Sequence, residues 1–345
     1  MRFGISLAGM YDTPNYIEEA LGYVQLLEML GFDSVWTGDS QMLHRDAYCD
    51  LTLWSSRTER IHLGPCVTNP YTRHPSVTAS AILTIDELSK GRALLGIGAG
   101  DSSVRRIGLQ PRPISQLEET VKIVRELCEG RSVNFHGQQL KIRWGKPRKI
   151  PIYIAASGPK SLQTAGRVGD GAILHVGPSD DGIKFAVDHV REGVASAQRS
   201  NREKIDLAQF IFSSIDRSRE KAIEDAKPFV TWYLVNIPEH PIIRAEKLAP
   251  DVSERIARYR KEYYQYDEDS SHHAPTWSSS VRESSFIPDE LVEKYTVAGS
   301  PEDFVARLRH IESLGIDHVI FRPPYTEKFE ESLELLGEVV QKFRW

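Results

Sequence analysis

The stretch Ile61-His-Leu-Gly-Pro-Cys-Val-Thr-Asn-Pro-Tyr-Thr-Arg-His-Pro75 opens as a buried strand and then crowds prolines, threonines, an amide, a cation and an imidazole into a few positions. Packing alone does not call for that density of chemistry. A strand that ends in polar groups and passes at once into a helix has the layout of the active edge of an α/β barrel.

Working outward, the same unit recurs. Arg2 to Leu7 alternates as a first strand, and Pro14 to Leu30 carries apolar residues at helical spacing until Gly31 caps it. Asp33 to Thr37 is a second strand, followed by Gly38-Asp-Ser-Gln41 and a helix from about Asp46 to Ser56. Ile61 to Val67 is the third strand and Val77 to Ser89 its helix. Ala93 to Ile97 is the fourth strand, running into Gly98-Ala-Gly-Asp-Ser102. Residues 103 to 115 form a polar loop, Leu117 to Cys128 a helix, and Val133 to Ile142 a small hairpin turning at His136-Gly137. Pro151 to Ala155, Gly171 to Val176, 206 to 213 and His318 to Arg322 complete the strands, with helices at 159–168, 182–198, 301–314 and 327–343.

About eight strands alternating with helices demand a parallel sheet covered on its outside. At 345 residues that count favours one closed (β/α)8 barrel over an open doubly wound sheet. The exception is a stretch at about 216–295, read as a helical insertion that begins with a helix over 217–227 and precedes the last strand of a single domain spanning 1–345. Its His272-His273 pair carries no acidic or cysteine partner at ligand spacing and reads as a solvated loop rather than a metal site.

Composition narrows the function classes. Lys plus Arg is 43 and Asp plus Glu is 48, a net charge of −5, which gives no electrostatic footprint for nucleic acid or an anionic membrane. The three cysteines, Cys49, Cys66 and Cys128, make neither a disulfide framework nor a metal-ligand spacing. No charged-then-apolar leader and no apolar run of about 20 residues occurs, so the expectation is a soluble cytoplasmic protein.

In a barrel the strand C-termini share one mouth, so the strand ends are the candidate site. They are Asp39-Ser40-Gln41, Cys66-Val67-Thr68-Asn69 with Tyr71 to His74, Gly98 to Ser102, Ala155 to Lys160, and Gly177-Pro178-Ser179. Ser157, Gly158, Pro159 and Lys160 lie between a strand and a helix that starts at Pro159. Proline there costs no hydrogen bond, and the free amides and helix dipole favour a phosphate. An ordinary helix cap explains the same residues. Gly177 supplies a second stretch of open backbone. Gly98 and Gly100 lack the third glycine of a dinucleotide motif, but they allow a flat ring to lie against backbone. Asp101 is an acceptor there or the next segment's cap. Asp39 is a turn cap or a proton-handling group beside the ring, with His44, Arg45 and Asp46 on the same loop.

These strand ends resemble the luciferase-like superfamily of flavin-dependent barrels, and within it the deazaflavin branch of methylenetetrahydromethanopterin reductases. Val67 to Pro75, Gly96 to Asp101, Ala155 to Lys160 with Ala165-Gly166 and Asp170-Gly171, and Val297 to Asp303 carry the resemblance. It spans roughly residues 1–215 and 286–345. It implies coenzyme F420, or alternatively FMN, with its ring at the mouth. It also implies a cis peptide bond at Cys66–Val67 backing the ring, with the cofactor phosphate on Ser157 to Lys160 and Gly177. The chain departs from the pattern at Ser40, where several relatives place a histidine, so the proton donor falls to Asp39, Ser40 or His44. Three functions are open: hydride transfer between F420 and an organic substrate, an FMN monooxygenase served by a reductase partner, and a non-catalytic cofactor-binding barrel. The expected partners are a small-molecule substrate and a second copy of the chain.

Overall fold

The structure, a computed structural model, describes residues 1–8, 10, 15–105, 107–111, 113–197, 204–237, 240–263 and 277–344. Eight parallel strands form one ring: Arg2–Ser6, Ser34–Thr37, His62–Pro65, Leu95–Ile97, Ile152–Ala156, Gly171–Leu174, Asp206–Ile215 and His318–Arg322. The first strand pairs with the second and the eighth, in registers Gly4 to Ser34 and Arg2 to His318. Bridges from Leu63 to Ala93 and from Thr68 to Ile97 join the third strand to the fourth and close the barrel.

The core divides by strand alternation. Outward-facing residues such as Val35, Leu63, Ile154 and Val319 pack under the helices. Trp36, Leu94, Tyr153, Ile173, Ala208 and Ile320 fill the interior. A parallel barrel is covered outside and packed inside, which is why its strands read as continuous apolar runs. Trp36 and Tyr153 meet edge to face across the interior, with centroids 5.8 Å apart. Deeper in, Ser34 Oγ links the Trp36 indole N–H, at 2.8 Å, to Nε2 of His318, at 3.0 Å.

Several boundaries move. The third strand's ladder ends at Pro65 rather than Val67, and its helix begins at Pro75, capped by the His74 side chain. The loop expected at 103–115 holds a one-turn helix, Ser102–Arg105, and the next helix starts at Ile114. The hairpin turns where expected, with His136 and Gly137 at φ 49° and 78°. The helix expected over 217–227 runs through Pro228 as Arg219–Asn236. The carbonyl that Pro228 leaves without a helical partner belongs to Glu224, an exposed residue. Burial of Phe229, Val230, Tyr233 and Leu234 outweighs the lost bond.

That long helix and those at Pro250–Tyr263 and Asp289–Tyr295 enclose a second apolar cluster. A short strand, Val297–Gly299, returns the chain to the barrel beside Ser213 to Ile215. Gln341 and Arg344 close the molecule against the end of the first helix. His272 and His273 lie outside the described residues. Among the described residues no helix is long and apolar enough to cross a membrane.

One buried cation ties the barrel's far end together. Arg92 is only 9% exposed, and among the described residues its side-chain bonds go to neutral oxygens. Its Nε donates to the Ser89 carbonyl at 2.7 Å. One terminal nitrogen reaches Thr58 Oγ1 and the Ile61 carbonyl, and the other the Ser55 and Thr58 carbonyls. Ser55 ends the second helix and Ser89 follows the third, so the charge sits against two negative helix ends. Arg92→Ala orphans these acceptors and is expected to cost about 3 kcal/mol in denaturant unfolding. Arg92→Lys, with three donors in place of a planar fork, is expected to recover little of it. An unfolding midpoint unchanged by either substitution would show that these bonds do not hold the far end.

Candidate active site

The third and fourth strands approach so closely that side chains are excluded between them. A Cβ on Gly64 would collide with the Leu94 carbonyl oxygen, and one on Gly96 with the Pro65 carbonyl oxygen. At the mouth the third strand leaves this ladder and rejoins it. Cys66 N–H bonds the Thr37 carbonyl at 2.7 Å on one side. Thr68 then donates to Gly96 at 3.0 Å on the other and accepts from Gly98 at 2.9 Å. The peptide bond between Cys66 and Val67 is cis. Val67 Cγ2 lies 3.0 Å, and Ala155 Cβ 3.4 Å, from where a Cβ on Gly98 would stand. Val67, Gly98 and Ala155 therefore form one continuous apolar bed on top of the interior core. Burial pushes the Cys66 thiol up to about 12, so it is a neutral lining group.

Around this bed the predicted residues of the second, third and fourth strand ends interlock. Asp39, 6% exposed, bonds Arg73 at 2.5 Å, and the same guanidinium reaches Asp46 at 2.8 Å. Burial works against the Arg73 charge, but Asp39 outweighs it and holds the cation more firmly than usual. Tyr48 lies under the guanidinium, 4.7 Å from it. Ser40 Oγ meets Ser102 Oγ at 2.8 Å, and Gln41 donates to the Ser103 carbonyl. Asn69, 1% exposed, donates to Ser103 Oγ at 3.1 Å and accepts from the amides of Tyr71 and Thr72. The His44 ring lies on Gly38, with its Nε2 2.6 Å from where a Cβ would stand. Asp101 is two-thirds exposed and bonds Arg105 at 2.7 Å.

The fifth and sixth strand ends build a different surface. Ser157-Gly158-Pro159-Lys160 starts the helix Pro159–Val168, whose first backbone bond runs from Leu162 N–H to the Gly158 carbonyl at 3.0 Å. The amides of Lys160 and Ser161 thus precede the helical ladder. Gly158 has an extended conformation any residue adopts, φ −89° and ψ 163°, and a Cβ there would meet nothing within 4 Å. The space before the helix start is open. Gly177, at φ 74°, packs against Tyr295, and its carbonyl accepts from the buried Gln209 amide at 3.2 Å.

Beyond Gly177 stands an aromatic wall. His175 is ringed by Phe210, Phe212, Trp232 and Tyr233 at centroid distances of 5.2 to 5.7 Å. Burial lowers His175 to about 4, helped by the nearby His240 and Arg322, so its ring is neutral. Arg322 lies over Phe212 at 5.6 Å and Phe229 at 5.7 Å, while donating to the Ala8 carbonyl. Phe210 packs both on the barrel interior and on the insertion's cluster, so the wall borders the mouth.

Two groups thus emerge from the predicted list. One is Asp39, Ser40, Cys66, Val67, Thr68, Asn69, Gly98 and Gly100, gathered at the second, third and fourth strand ends. The other is Ser157 to Lys160 with Gly177, joined to the first through Ala155. Arg73 lay within the predicted strand end, Tyr71 to His74, but its pairing with Asp39 was not foreseen. Sequence reading gave no side-chain role to His175, Gln209 and His240, whose partners are distant in the chain.

The geometry can be set beside known proteins. The sequence profile of the Luciferase-like monooxygenase family matches residues 1–318. The 5,10-methylenetetrahydromethanopterin reductase of Archaeoglobus fulgidus is 32% identical over the whole of both chains. The F420-dependent glucose-6-phosphate dehydrogenase of Amycolatopsis mediterranei is 28% identical over 93% of each. Among solved structures, the coenzyme F420 dependent tetrahydromethanopterin reductase of Methanopyrus kandleri superposes with a TM-score of 0.80 over 99% of both chains, at 26% identity. With eight parallel strands closed into one barrel and a profile match running from the first strand to the start of the eighth, the chain belongs to the luciferase-like monooxygenase family.

Proposed function

We propose that this chain is an oxidoreductase that moves a hydride between coenzyme F420 and an organic substrate at the C-terminal mouth of the barrel. The observation that carries the reading is the open cradle at Gly158, at the end of the strand that contributes Ala155 to the apolar bed it shares with Val67 and Gly98. F420 would supply the hydride chemistry when bound. Val67, Gly98 and Ala155 would back its ring, and the amides of Gly158, Lys160 and Ser161 would receive its phosphate at the positive end of a helix. Similarity over nearly the whole chain to relatives named as F420-dependent supports that cofactor over FMN.

The chain's own residues do the positioning. Asp39, paired with Arg73, is a fixed carboxylate that orients the strand-end loop. Ser40 and Ser102 pin the second strand end to the fourth. His44, whose ring lies on Gly38 in the same loop, is the residue to which we assign the proton. Of the two substrate kinds in the relatives' names, a pterin and a sugar phosphate, the wall of Phe210, Phe212, Trp232 and Tyr233 favours the flat heterocycle.

The family's description names a monooxygenase, and the alternative reading is an FMN-dependent monooxygenase served by a reductase. Titrating the apo-protein with each cofactor separates the two. Tight F420 binding is the expected outcome, with deazaflavin absorbance bleaching when a methyl-tetrahydropterin gives up hydride to the oxidised cofactor, or recovering when a methylene-tetrahydropterin takes hydride from the reduced one. Submicromolar FMN binding with no affinity for F420 would overturn it. Gly158→Val is expected to leave the melting temperature unchanged, because the backbone is extended and the space empty. The same substitution is expected to weaken F420 binding by about tenfold or more, the loss of a hydrogen bond to a charged group. Unchanged F420 affinity in that variant would place the phosphate elsewhere.

A further inference from the structure

We infer that His240, carried by the insertion, is a positioning residue that sets the cofactor-phosphate loop, an inference that rests on the phosphate reading of Gly158 to Ser161. His240 is 7% exposed and lies 83 residues along the chain from Ser157. Its Nδ1 accepts from the Ile242 amide and so caps the helix Pro241–Arg244. The ring hydrogen is therefore on Nε2, which donates to the Ser157 carbonyl at 2.8 Å. Phe185, from the helix Asp180–Ser196, packs edge-on against the ring at 5.6 Å and fixes its plane. Burial lowers the pKa of His240, which keeps the ring in this neutral, one-donor form.

The consequence follows from peptide geometry. In a trans peptide the C=O and the following N–H point in opposite directions. Tying down the Ser157 carbonyl turns the Gly158 N–H away from His240. Nothing local would hold it there otherwise. Gly158 has no side chain, a Cβ on it would touch nothing, and the Gly158 carbonyl bonds only forward, to Leu162 and Ser161. A glycine with such freedom rotates its preceding peptide plane at little cost. The same device recurs on the next strand end, where Arg307 donates to the Pro178 carbonyl at 2.6 Å and Gln209 to that of Gly177. At both loops a side chain from elsewhere in the fold holds carbonyls, and at Gly158 and Ser179 the following amide is thereby aimed. The insertion thus reaches the cofactor site through one imidazole.

The test uses two ligands that differ by the phosphate alone, the deazaflavin riboside and its monophosphate. Both are titrated by fluorescence into the wild type, His240→Asn and His240→Gln. Asparagine keeps the Nδ1-like acceptor that caps the helix but is too short to reach Ser157. Glutamine extends a donor to the position of Nε2. His240→Asn is expected to bind the monophosphate about tenfold more weakly with riboside affinity unchanged. His240→Gln is expected to retain most of the wild-type affinity for both. The inference is overturned if the wild type prefers the monophosphate and His240→Asn loses nothing, or loses equally on both ligands. A wild type that binds the two ligands alike would overturn the phosphate reading, and the role of His240 with it.

Discussion

The mouth of this barrel depends on one close approach, that of the third and fourth strands. Gly64 lies against the Leu94 carbonyl and Gly96 against the Pro65 carbonyl, where any side chain would force the strands apart. With that seam tight, Thr68 can bond both Gly96 and Gly98, and residues 66 to 69 are carried into the mouth instead of into solvent. Val67 then lies on Gly98, and Asn69 reaches Ser103. The polar strand end is a consequence of the seam. Two backbone contacts fix where chemistry is possible.

The two sides of the mouth are built for different work. On the second, third and fourth strands the polar groups satisfy one another: Asp39 with Arg73, Ser40 with Ser102, Asn69 with Ser103. Such a closed network is rigid and keeps its charges paired, as buried ionic groups require. On the fifth and sixth strands the backbone is left open at Gly158, and its outward carbonyls are held by residues from elsewhere in the chain. That division suits a cofactor with a neutral face and an anionic end. The insertion adds Trp232 and Tyr233 to the aromatic wall about His175, so its cluster is continuous with the barrel's Phe210 and Phe212 and is not a separate appendage.

The alternation of strands and helices was legible because Gly31, Lys90-Gly91 and Gly315 punctuate it and the strands are apolar on both faces. The strand ends were legible as a site because polar residues cluster where buried runs stop. Side-chain partnerships were not. Arg73 finds Asp39 across 34 residues and His240 finds Ser157 across 83, and no local period records either. Pro228 misled the reading of the long helix, since packing of Phe229 and Tyr233 overrides a local breaker whose orphaned carbonyl belongs to an exposed residue. The third strand was read two residues too long because Cys66 and Val67 look like strand residues yet lie between two ladders.

The most direct measurement is a crystal structure of the protein grown with F420. The expected result is the deazaflavin ring lying on Val67 and Ala155, its phosphate within hydrogen-bond distance of the amides of Gly158, Lys160 and Ser161. A ring bound away from Val67, or a phosphate left in solvent with those amides hydrated, would contradict the account.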